Sequence, residues 1–128
     1  MSNKTDLKYH LVIVTKWRNK ALLGIEDSVK DALRFAEKNS HFKIIDFGVE
    51  DGNHVHLVVK ISPEFSVSSV VSRLKQLSAE YLWRVEGEEL KKHFWSKNRR
   101  HLWHGGYYCD SVGKVSEDKI LTYVTKNH

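Results

Sequence analysis

The stretch "HVHLVV", residues 54–59, sets two imidazoles one residue apart inside an otherwise apolar run of strand length. Side chains alternate along a strand, so His54, His56 and Val58 share one face while Val55, Leu57, Val59 and Ile61 share the other. The second set is uniformly apolar and is expected to face helices. The histidines are then left on the open face, about 7 Å apart along the strand. From there neutral imidazole nitrogens can converge on one divalent cation. The blander reading is a pair of exposed histidines on an ordinary sheet. With 8 histidines in 128 residues, a His-x-His triplet carries little by itself. Its position directly after a hairpin signal favours the metal. Two imidazoles do not finish a site, so other ligands must come from elsewhere.

The C-terminal segment "VSEDKILTYVTKNH" offers them. Tyr123 and Asn127 stand four residues apart, hence on one stripe of a helix, with Lys119 one turn earlier. An amide oxygen suits a hard cation, and a phenol is a potential nucleophile. Against this, Tyr123 can simply pack at a helix edge while Asn127 frays with the terminus. Together the two segments say more than either alone. A phenol has a pKa near 10, so its oxygen attacks poorly unless charge is relieved nearby. A divalent cation on the histidines would polarise a phosphodiester and stabilise the developing charge. A phosphotyrosine keeps the energy of the broken bond, which suits cutting and rejoining of DNA. Tyr107 and Tyr108 are rival nucleophiles on the last predicted strand.

A polyanion would find cations here. The formal charge is +5 and the pI near 9.3, which permits such a partner without proving one. Lys91, Lys92, Lys97, Arg99, Arg100, His101 and His104 are interleaved with Phe94, Trp95 and Trp103, and Trp17, Arg18 and Lys20 make a second cluster. Cations attract phosphates and aromatic faces stack unpaired bases. The alternative is a solvated basic loop whose tryptophans anchor it to the core.

The elements that must position these groups follow from pattern. "YHLVIVT" (9–15) and "FKIIDFGVE" (42–50) read as strands, and "EDGN" (50–53) as the tight turn that sets "HVHLVVKI" antiparallel to the second. Residues 26–40 space Val29, Ala32, Leu33 and Ala36 along one helical face. Residues 66–85 do the same with Val67, Val70, Val71, Leu74, Leu77 and Tyr81, and Ser66 suits the cap. "YYCDSV" is the last strand, and a short helix capped by Ser116 closes the chain. The result is an α+β fold, a ferredoxin-like (RRM-like) antiparallel sheet in the order βαββαβ with an extra C-terminal helix, one domain over residues 1–128. The lone Cys109 excludes a disulfide within the chain and a multi-cysteine zinc cluster. No signal peptide or membrane span is expected, since "LVIV" is far too short, and with the lone cysteine a cytoplasmic location is expected.

The chain resembles the single-tyrosine HUH transposases (His-hydrophobic-His) of small bacterial and archaeal insertion sequences, the IS200-like kind. The resemblance runs through "YHLVIVTKWRNKALL", "HVHLVV", "SVSSVVSRLKQLSAEYL", "LWHGGYYCDSVG" and "VSEDKILTYV". It implies that His54 and His56 bind Mg2+ or Mn2+ and that Tyr123 forms a 5′-phosphotyrosine with single-stranded DNA, releasing a 3′-hydroxyl. It implies a homodimer acting on hairpin ends of a mobile element, in which Tyr123 can serve the partner's histidines. The family's third ligand is a glutamine four residues after the tyrosine; Asn127 stands there, one methylene shorter, and His128 is a lesser substitute. Rival readings are a related HUH nickase, a domesticated repeat-associated transposase, a non-catalytic ferredoxin-like RNA binder, or a metal-independent RNA-processing enzyme.

Overall fold

The computed structural model of the protein describes residues 7–94 and 102–112. Four strands, β1 (Leu7–Val14), β2 (Phe42–Glu50), β3 (His54–Ile61) and β4 (Tyr108–Ser111), form one antiparallel sheet in the order β2-β3-β1-β4. With helices α1 (Glu26–Lys38) and α2 (Val67–Lys91) between them, this is the expected ferredoxin-like βαββαβ arrangement. The anticipated C-terminal helix lies outside the described residues.

Both helices pack on the face of the sheet that carries Leu11, Ile13, Val55, Leu57, Val59 and Ile61. Helix α1 turns Val29, Ala32, Leu33 and Ala36 fully inward, the stripe that its spacing requires. Ser66 caps α2 by accepting a hydrogen bond from the Ser69 amide at 3.1 Å. Helix α2 outruns its expected end at residue 85. It bends at Glu86 (φ −125°), whose carboxylate accepts from Ser28, and continues because Leu90 and then Phe94 remain buried. The β2–β3 turn holds Asp51 and Gly52 at φ 55° and 69°, the pair of left-handed residues that a tight hairpin needs. A Cβ on Gly52 would stand 2.4 Å from Leu23 Cγ, so this position requires glycine twice over.

Candidate metal and nucleic-acid site

His54 and His56 sit at the start of β3, both on the face opposite the helices. Register places Val14 and Val12 of β1 beside them, with His10 opposite Val58 further along. The expectation of an open face is corrected here: His10 and Val58 are 0% exposed, Val12 4% and His54 7%. The runs "HLVIV" and "HLVV" lack the polar alternation of a half-solvated sheet, and a continuous apolar run marks a strand buried on both sides. His54 is thus withdrawn from water while His56 is half-buried, and a ligand bond to the buried nitrogen competes with less solvent. His10, outside the His-x-His triplet, belongs to the same face and meets Tyr108 edge-on at 6.0 Å between ring centres.

Strand β2 supplies the second wall. Gly48 pairs with His56 and Glu50 with His54. A Cβ on Gly48 would lie 2.7 Å from His56 Nε2 and 2.9 Å from Cε1, so the ring rests directly on the β2 backbone. This alignment depends on an irregularity. Ile44 pairs with Val59 but Asp46 pairs with Val58, leaving Ile45 as an extra residue. Plain alternation from Phe42 and Ile44 would turn Gly48 and Glu50 toward the helices. The bulge reverses the pleat and sends them under the histidines instead. Among the described residues, no three His, Cys, Asp or Glu side chains are already grouped as metal ligands.

The end of the sheet beside His54 carries a braced turn. Thr15 N donates to Asn53 O at 3.0 Å, and Asn53 Nδ2 donates to Arg18 O at 3.1 Å. Trp17 and Arg18 occupy left-handed backbone (φ 59° and 55°), which costs energy in residues bearing a Cβ. Trp17 is nonetheless 67% exposed. Asn19 ties this turn to the end of α2, donating to His93 O at 2.9 Å and meeting His93 Nδ1 at 2.6 Å. Trp17 and Phe94 lie 6.3 Å apart. The Trp17 turn therefore lies against the end of α2, where the exposed Lys91 and Lys92 pair with Glu88 and Glu89.

Not every aromatic in these clusters faces outward. Phe94, 2% exposed, belongs to the core. Trp103 packs partly against the core and donates its indole Nε1 to Ser78 Oγ at 3.0 Å. Lys75 donates to the carbonyls of His104 and Gly106 at 2.7 and 2.8 Å, and burial pushes its ammonium below the usual lysine range. Tyr107 sits beside Lys75 on the helix side, whereas Tyr108 pairs with Val12 and lies across β1 from His56. Tyr123, Asn127, His128, Trp95, Lys97, Arg99, Arg100 and His101 lie outside the described residues.

The fold agrees with what the chain is similar to. The family profile described as "Transposase IS200 like" matches residues 3–127. The chain belongs to the IS200-like transposase family. The ISDra2 transposase TnpA of Deinococcus radiodurans is 30% identical over 124 residues, covering 96% of this chain and 85% of that protein. The transposase for insertion sequence element IS200 of Salmonella typhimurium is 32% identical over 120 residues, covering 93% and 75%. Among solved structures, a crystal structure of a Deinococcus radiodurans R1 protein assigned as a transposase superposes with a TM-score of 0.74 at 27% identity, covering 100% of this chain and 95% of that one. A REP-associated tyrosine transposase bound to a REP hairpin shares the fold at TM-score 0.60 and 11% identity, covering 97% and 67%. Among the described residues, no helix of this family member is long and apolar enough to cross a membrane.

Proposed function

We propose that this IS200-like transposase cleaves and rejoins single-stranded DNA at the ends of an insertion sequence, with Tyr123 as nucleophile and Mg2+ or Mn2+ as cofactor. His54 and His56 hold the cation, with Asn127 as a further ligand. The chemistry of the two imidazoles suits such an ion: His54, buried, and His56, half-buried, share one face of β3. When bound, the cation neutralises charge on the scissile phosphate. The rest falls to the chain. The Tyr123 oxygen bonds to phosphorus while the phosphorus–O3′ bond breaks. The phenolic proton is released and the departing O3′ gains one, leaving a 3′-hydroxyl and a 5′-phosphotyrosine. Attack by a 3′-hydroxyl on that phosphorus reverses the exchange without hydrolysis.

Trp17, Arg18, Lys91 and Lys92 grip the DNA from the braced turn and the end of α2. Hairpin ends are the preferred substrate, a reading supported by the REP hairpin held by the fold neighbour. The protein works as a homodimer in which Tyr123 of one protomer serves the histidines of the other.

The observation that carries this reading is the pairing of His54 and His56 against Glu50 and Gly48 on a buried sheet face in a member of this family. The test is a denaturation-resistant protein–DNA adduct formed with single-stranded element ends and Mn2+. Tyr123→Phe and His56→Ala should each abolish it. Mixing those two variants should restore it, since one site of the mixed dimer keeps both parts. Adduct formation by His56→Ala alone would refute the metal-dependent mechanism.

A further inference from the structure

We propose that Asn19 is a positioning residue for DNA binding: its carboxamide, clamped to His93, holds the strained turn at Trp17 and Arg18 so that the indole meets an unpaired base already in place. The inference rests on the reading above that Trp17 grips DNA, and it adds the residue through which that indole is held. Trp17 and Arg18 are both left-handed, at φ 59° and 55°, and such residues persist only where their surroundings over-determine them. From the sheet side the main chain of the turn is pinned by Thr15 and Asn53. Thr15 Oγ1 donates to Asn19 O, Arg18 N donates to Thr15 O at 3.0 Å, and Asn53 Nδ2 donates to Arg18 O at 3.1 Å.

Asn19 supplies the grip on the helix side, and its carboxamide is held at two points. Nδ2 donates to His93 O at 2.9 Å, and Oδ1 meets His93 Nδ1 at 2.6 Å. A carbonyl only accepts, so the amide nitrogen must face His93 O and the amide oxygen must face the ring. His93 Nδ1 therefore carries a hydrogen and donates it. Such a reciprocal pair fixes the orientation of both residues and joins the turn to the end of α2 across 74 positions of sequence. Asn19 and His93 are half-buried while Trp17 is exposed, so the clamp acts on the turn and leaves the indole accessible. Lys16 Nζ, 5.5 Å from the Trp17 ring centre, brings a phosphate-attracting cation to the same turn. Ordering a side chain before its ligand arrives removes that cost from binding.

Fluorescence anisotropy with a labelled single-stranded oligothymidylate tests the assignment in wild type, Asn19→Ala, Trp17→Ala and the double variant. Asn19→Ala should weaken binding by about fivefold or more. If Asn19 acts through the indole, the same substitution in the Trp17→Ala background should cost less than half as much on a logarithmic scale; a purely structural loss would be the same in both. A second readout needs no variant: long-range nitrogen–proton spectra of the wild-type protein in alkaline buffer should show His93 as the Nδ1–H tautomer. Wild-type affinity in Asn19→Ala, a loss half as large or more in the Trp17→Ala background, or the Nε2–H tautomer at His93 overturns the Asn19 assignment while leaving Trp17 on the DNA. Wild-type affinity in Trp17→Ala overturns both.

Discussion

Gly48 and His56 face each other across β2 and β3, and the imidazole occupies the space that any larger residue at 48 would need. The ring is therefore positioned by what β2 lacks.

Gly48→Ala follows directly. The new Cβ would meet His56 Nε2 at 2.7 Å, the far end of a side chain that can turn aside. The fold should survive, with a melting temperature within a few degrees of wild type. Mn2+ affinity should fall about tenfold or more, because the ring gives way. Calorimetric titration beside a thermal melt separates the two effects.

In the proposed mechanism Tyr108 is the rival of Tyr123 as nucleophile, and Tyr107 lies beside Lys75 on the helix side, away from the histidine face. Tyr108 shares the histidine face but stands across β1 from His56, roughly 10 Å away at ordinary strand spacing. Tyr123→Phe should cut adduct formation by about a thousandfold or more, and Tyr108→Phe should leave most of it. The reverse pattern would move the chemistry to β4.

Trp17 and Trp103 should separate binding from stability. Trp17 is 67% exposed, so Trp17→Ala should leave the melt unchanged and weaken single-stranded DNA by about 1–3 kcal/mol. Trp103→Phe loses the bond to Ser78 and should cost about 1 kcal/mol of stability, with little change in DNA affinity. Fluorescence anisotropy and denaturant melts measure each.

Arg18→Ala should reduce the slope of log affinity against log salt by about 1 if its guanidinium contacts a phosphate. A parallel line would remove Arg18 from the DNA surface.

Burial, and then the neighbouring Asp110 carboxylate, push the Cys109 thiol above its ordinary range. A raised pKa leaves less thiolate at any given pH. Iodoacetamide at pH 8 should therefore modify Cys109 more slowly than glutathione, and the rate should climb only at higher pH. Asp110→Asn should speed it; an unchanged rate would discount the carboxylate.

Local pattern was enough for the order of elements, the inward faces of both helices, the Asp-Gly turn and the pairing of His54 with His56 on one face. Those features depend on periodicity and turn chemistry within a few residues, which a linear chain displays openly. Tertiary structure decided the surroundings of the histidines. A single extra residue at Ile45 inverts the pleat of β2, and composition alone does not announce a bulge, so Gly48 and Glu50 were not legible as neighbours of the site. The turn at Trp17 and the end of α2 meet only through Asn19 and His93, residues 74 positions apart. Burial on both sides of β1 and β3 departs from the open face that the alternation of His54 and His56 suggested. Which groups share that burial depends on register, and register is settled between strands rather than within one.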